Sequence, residues 1–184
     1  TKYIGGHSDT LGGVLSGSHS MIKKIFDSEY LNIGSGIQPF NAWLLIRGLR
    51  TLSIRLERIN RSTDQLVNYL KQQAKTESII FPFDESFPQY KLAKQQMKDA
   101  GGLLTFILKT KKREEIIRFC ESLKHFMMAV SWGGHESLIL PKCASIRLAD
   151  FDPSSAEHRS IRMYVGLEDP AYLINDLEQA FALI

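Results

Sequence analysis

The chain has 184 residues, of which 43% are hydrophobic and 23% charged, with a formal net charge of +3. That length holds one domain, or one domain with part of another, and the apolar share suffices for a sizeable core. The mild charge argues against nucleic acid or a membrane surface as partner, and the apolar runs fall short of a bilayer span. Cys120 and Cys143 are the only cysteines. They lack metal-ligand spacing and fit a reducing, cytoplasmic compartment. The five histidines are too scattered to suggest a metal site.

Residues 1–20 are rich in Gly, Ser and Thr and read as loops and short strands around a site. A short helix follows over 21–29, then a loop from Asn32 to Pro39. From Phe40 the spacing changes. Leu45, Leu49, Leu52, Leu56, Ile59, Leu66 and Leu70 recur at alternating steps of four and three, with Thr63 at the one polar step. This predicts one long helix with Arg47, Arg50, Arg55, Arg58 and Arg61 largely off its apolar face. A helix joining two lobes fits better than a coiled coil, because the pattern ends after a few heptads.

After Lys75 helices and strands alternate. Strands are expected at Ser78–Phe81, Leu103–Leu108 and Ser160–Val165, and a short buried one at Phe126–Val130. Helices are expected over Gln89–Ala100 and residues 112–124, the latter burying Ile116, Cys120 and Leu123. Asp169 and Pro170 suit the cap and first turn of a final helix. Its buried face carries Leu173, Leu177, Ala180, Phe181 and Ile184. The class is α/β, a two-layer sandwich with a mainly antiparallel sheet. The expected boundary separates residues 1–74 from a small domain over 75–184.

Chemistry concentrates at the start. Thr1-Lys2-Tyr3-Ile4-Gly5-Gly6-His7-Ser8-Asp9 resembles the segment that carries the cofactor lysine in pyridoxal-phosphate enzymes of cysteine and methionine metabolism. Four further segments fit the same family in the same order. They are Pro39–Leu44 with Arg47–Leu52, Ala93–Met97 with Gly101-Gly102, Ser131–Leu138, and Arg162–Asp169. Together they cover essentially the whole chain, but only about the second half of a family member. The expected architecture is the end of the large domain of a fold-type-I enzyme, a long linking helix, and the small C-terminal domain.

The resemblance implies pyridoxal 5'-phosphate as cofactor, a sulfur-containing amino acid as substrate, and a homo-oligomer of two or four copies. It makes Lys2 the Schiff-base lysine and general base, and Thr1 a hydroxyl contact to the cofactor phosphate. A lysine in that role needs a fraction of neutral amine, which burial and nearby positive charge favour. His7, Ser8 and Asp9 shape the loop behind it by local hydrogen bonds. Arg162, helped by Ser131, holds the substrate carboxylate, a task suited to the planar guanidinium. Arg147 and Arg159 are the rivals from sequence alone. The family's contact to the pyridine nitrogen and its ring-stacking tyrosine would lie upstream.

Val130 and Trp132 bear on the subtype. Family members that work at the substrate γ-carbon often carry glutamate and leucine at these places. Ser131-Trp132-Gly133-Gly134 is similar to the cystathionine β-lyase branch, which cleaves cystathionine to homocysteine, pyruvate and ammonia. The alternatives are a γ-synthase or γ-lyase of the same family and, from another class, a silent fragment serving only structure or oligomerisation.

Overall fold

A computed structural model describes residues 1–34 and 36–184. The α-helices are α1 (His19–Ile25), α2 (Leu31–Ile33), α3 (Pro39–Leu49), α4 (Leu52–Gln72), α5 (Tyr90–Gln96), α6 (Arg113–Ser122) and α7 (Pro170–Phe181). The strands are β1 (Thr76–Ile80), β2 (Leu103–Leu108), β3 (Met127–Met128), β4 (Leu138–Pro141) and β5 (Ser160–Tyr164). They form one sheet in the order β1-β2-β5-β4-β3. Every neighbouring pair is antiparallel except β3 with β4. The mainly antiparallel α/β class is therefore as the sequence predicts.

β5 lies at the centre, and its period of two decides what each face does. Ile161 and Met163 point into the main core with Leu104, Phe106 and Leu108 of β2 and Ile139 of β4. Helices α4, α6 and α7 cover that face with Leu66, Leu70, Ile116, Phe119, Leu173 and Leu177. The aromatic rings of Phe119 and Phe181 meet at 4.6 Å between centroids. The opposite face of β5 presents Arg162 and Tyr164. Tyr164 joins Ile59 and Leu138 in a second cluster, against which Tyr3 and Trp132 pack. This second face carries the site.

Asp169 caps α7 as expected, accepting the Ala171 N–H at 2.9 Å, with Pro170 in the first turn. Other expectations are corrected. The residues 1–18 contain turns but no strand. α5 stops at Gln96 rather than at Ala100, and β3 has two exposed methionines, not a buried run. β4, unforeseen, is a buried strand closed by Pro141.

The single long helix is two helices, α3 and α4, broken at Arg50-Thr51. The break has a local cause. The Gly48 carbonyl accepts from Thr51 N (3.2 Å), Thr51 Oγ1 (3.2 Å) and Arg55 Nη2 (2.8 Å), which tightens the chain to three-residue hydrogen bonds. Arg55 also departs from expectation: it is 6% exposed, on the same face as Ile59.

One buried polar contact ties α7 to the chain before β3. Asp176, 3% exposed, accepts from Lys124 N (3.0 Å) and His125 N (2.8 Å). Removing the acceptor strands two amides in a partly buried loop. Asp176→Ala is expected to lower the unfolding free energy by about 2–3 kcal/mol, measured by denaturant titration; a change near zero would show that water replaces the carboxylate.

Candidate active site

The Lys2 segment is a tight turn in which Gly6 N donates to the Lys2 carbonyl at 2.8 Å. Gly6 has φ of 71°, and a Cβ there would collide with the Arg55 guanidinium. The loop after β3 closes over this turn. Gly133, at φ 87°, lies against the Lys2 backbone so closely that an added Cβ would sit 2.8 Å from Lys2 Cβ. Both positions need glycine for positive φ and for close backbone approach.

Ser131 and Trp132 are thereby brought to Lys2. Lys2 Nζ donates to Ser131 Oγ at 3.0 Å and lies 5.6 Å from the Trp132 ring centroid, within cation–π range. The Trp132 and Tyr3 rings meet edge to face at 5.4 Å. Tyr3 is fixed at its far end, where its hydroxyl accepts from Gly102 N at 2.8 Å. Burial pushes the Tyr3 phenol above its ordinary pKa, opposed by the Gly102 donor, so the ring is a neutral wall. Gly101-Gly102, read from sequence only as a landmark, thus anchors the residue next to Lys2.

Thr1, Lys2, Tyr3 and Trp132 line one cavity of about 520 Å³, with apolar walls from Leu45 and Leu49. Its volume lies in the range of small-molecule sites. A primary amine beside a hydroxyl, under an aromatic wall and facing apolar side chains, fits a planar aldehyde cofactor of the pyridoxal type. The Thr1 hydroxyl is engaged elsewhere: it donates to Gly12 O and accepts from Gly12 N, both at 2.9 Å. It reaches a phosphate only by exchanging the first of these bonds.

Arg162 opens on a neighbouring cavity of about 440 Å³, lined also by Thr105, Val130 and Leu140, rather than on the Lys2 cavity. The reason is its register. It stands on β5 opposite Thr105 and Leu140, and its Nη2 donates to the Val130 carbonyl. Only the peptide between Val130 and Ser131 separates that carbonyl from the residue holding Lys2. The rival arginines are occupied: Arg159 by Glu77 at 2.5 Å and by the Leu108 carbonyl, Arg147 by Asp150 at 2.5 Å. Arg162 has no carboxylate in its fork among the described residues.

Local hydrogen bonding accounts for His7, whose Nδ1 pairs with Gly5 O at 2.8 Å. Ser8 instead donates across 128 residues to Glu136 Oε1 at 2.5 Å, tying the turn to the Ser131 loop. Arg55, which grips the turn from α4, is the residue that the sequence reading missed. Its signal was position: three residues after Leu52 and four before Ile59, it falls on the buried face.

Cys120 and Cys143 are both buried and unpaired. Among the described residues no helix is long and apolar enough to cross a membrane.

A canavanine gamma-lyase of Pseudomonas canavaninivorans is 37% identical over 98% of this chain and 46% of its own length. A cystathionine gamma-lyase of Dictyostelium discoideum is 36% identical over 98% of the chain and 47% of its own length. An L-methionine gamma-lyase of Pseudomonas putida is 37% identical over 98% of the chain and 46% of its own length. The chain thus spans about half the length of these relatives. Residues 1–182 match the family described as Cys/Met metabolism PLP-dependent enzyme, and the chain belongs to that family.

Proposed function

We propose that the protein containing this chain is a pyridoxal-phosphate-dependent carbon–sulfur lyase acting on a sulfur-containing amino acid. The observation that carries this function is the 3.0 Å bond from Lys2 Nζ to Ser131 Oγ, which joins segments 129 residues apart at one cavity. Lys2 would hold the cofactor aldehyde, and the Thr1 hydroxyl would contact the phosphate in place of its bond to the Gly12 carbonyl. When bound, pyridoxal phosphate supplies an electron sink for charge developing at the substrate α-carbon.

The protein residues do the rest. The Lys2 amine would take the substrate α-proton as general base, and elimination at the γ-carbon would also need a proton removed from the β-carbon. Ser131 Oγ fixes Nζ, so that the base starts within reach rather than searching its rotamers. Trp132 and Tyr3 wall the reacting atoms from water. Arg162 would bind the substrate carboxylate by turning its guanidinium from the Val130 carbonyl and the neighbouring cavity toward Lys2. Residues 1–74 serve as the end of the cofactor domain with its linking helices, and 75–184 as the small domain. A cytoplasmic homo-oligomer fits the family and the unpaired cysteines.

The position of bond cleavage is the finer question. The names of the relatives above support elimination at the γ-carbon. That makes 2-oxobutyrate, cysteine and ammonia the products from cystathionine. Elimination at the β-carbon, giving homocysteine, pyruvate and ammonia, rests on Trp132 beside Lys2 and on the absence of a carboxylate at Val130. Val130 bears on it less than its position suggests. Its side chain is 71% exposed, and it is its carbonyl that meets Arg162.

The test is the product ratio of the full-length enzyme with cystathionine as sole substrate. An excess of 2-oxobutyrate over pyruvate is expected. An excess of pyruvate would assign β-elimination, and the lack of either keto acid would remove carbon–sulfur lyase activity on this substrate.

A further inference from the structure

Arg55 is a charged side chain held among neutral groups. Its Nε donates to Thr51 Oγ1 (3.1 Å), Nη1 to the Tyr3 carbonyl (2.7 Å), and Nη2 to the carbonyls of Gly48 (2.8 Å) and Ile4 (3.4 Å). Burying a guanidinium without a counter-ion is unfavourable unless its donors are satisfied. Burial correspondingly lowers the pKa of Arg55 from its ordinary value. A helix arginine with no role beyond solubility would face water. This one spans the break between α3 and α4 and grips the two residues that follow Lys2.

The grip is specific to the turn. Gly6 N holds the Lys2 carbonyl, and Arg55 holds the next two carbonyls, so three successive peptides are fixed. Gly6 leaves the space into which the guanidinium fits. With the Tyr3 and Ile4 carbonyls released, Lys2 would keep the Gly6 N–H on its own carbonyl, the packing of Gly133 and the Ser131 hydroxyl, but the two peptides that follow it would lose their hold.

We infer that Arg55 is a positioning residue: it sets the direction of Lys2 toward Ser131 and thereby the reach of the Lys2 amine, although it does not itself line the Lys2 cavity. This inference rests on the assignment of Lys2 as cofactor lysine and base. A lysine in place of Arg55 cannot reproduce it, because a point-charge ammonium lacks the planar fork that reaches acceptors on three segments.

The test uses the full-length protein with Arg55→Met and Arg55→Lys. Two readouts are taken: deuterium uptake of residues 1–8 in the cofactor-free protein, and kcat against KM in the loaded one. Expected in both variants is faster exchange confined to residues 1–8, with β2 and β5 still protected. A fall in kcat of about 10²-fold, the scale of an ångström-level misplacement of a catalytic group, accompanies it, with KM little changed.

Unchanged exchange over residues 1–8, unchanged kcat, or full activity in Arg55→Lys would overturn the inference. If both arginine variants lose protection throughout the sheet, Gly6→Ala decides. Its Cβ displaces the guanidinium and leaves α4 intact, and it must give the same local exchange and kcat loss, or the inference fails. Lys2→Ala separates this inference from the assignment beneath it. Turnover surviving in Lys2→Ala would remove the base itself, whereas an inactive Lys2→Ala beside a fully active Arg55→Met removes only the positioning role.

Discussion

Lys2→Ala is expected to abolish turnover in the full-length enzyme while leaving the fold intact. The substitution deletes the amine to which the proposal assigns both the cofactor linkage and the α-proton. General-base catalysis alone is worth roughly 10²–10⁴-fold, and loss of the covalent anchor adds to it. The fold should tolerate the change because the side chain makes one hydrogen bond, to Ser131, and stands at a partly exposed turn. Gly133 packs on the Lys2 backbone and Cβ, both of which alanine keeps. The check is steady-state turnover beside a thermal melt. An inactive variant with a native melt is the expected pair; residual activity within tenfold of the natural enzyme would place the base elsewhere.

Arg162→Lys is expected to raise KM for the amino-acid substrate by roughly 10–100-fold, the loss of a charge-assisted hydrogen bond or two, with a smaller change in kcat. Arg162 competes with Arg159 and Arg147 on sequence grounds, and geometry separates them. Arg159 and Arg147 already pair with Glu77 and Asp150. Arg162 spends one donor on the Val130 carbonyl, a neutral acceptor that a substrate carboxylate can replace. Lysine keeps the charge at β5 but loses the bidentate geometry. Kinetics unchanged in Arg162→Lys would mean that another cation binds the carboxylate, and Arg159→Lys should then also be silent because its fork is filled.

Much of this was legible in residue patterns. Ile59, Leu66 and Leu70 are buried on α4 as the spacing requires, and Ile116 and Cys120 on α6. The Asp169-Pro170 start of α7 follows from capping chemistry. The motif segments bring Lys2 and Ser131 together across 129 residues, which no local pattern could measure. What was not legible depended on tertiary contacts. The α3–α4 break follows from the Gly48 carbonyl bonding to side chains, invisible to periodicity alone. β4 was hidden because Leu138-Ile139-Leu140-Pro141 follows a glycine-rich loop and ends in proline, yet Pro141 sits at the strand end opposite Ile161, where a missing N–H is tolerated. The pattern around Arg162 predicts a strand, which β5 is, but its register aims the side chain at the cavity beside Lys2 rather than into the same one.

The function proposed above turns on Lys2 as the residue that holds pyridoxal phosphate. Borohydride reduction of the full-length holoenzyme fixes the cofactor to whichever amine carries it, and peptide mapping by mass spectrometry then locates the label. The pyridoxyl group is expected on Lys2, in the peptide that begins Thr1-Lys2-Tyr3-Ile4. A label on any other lysine, with Lys2 recovered unmodified, would contradict the assignment.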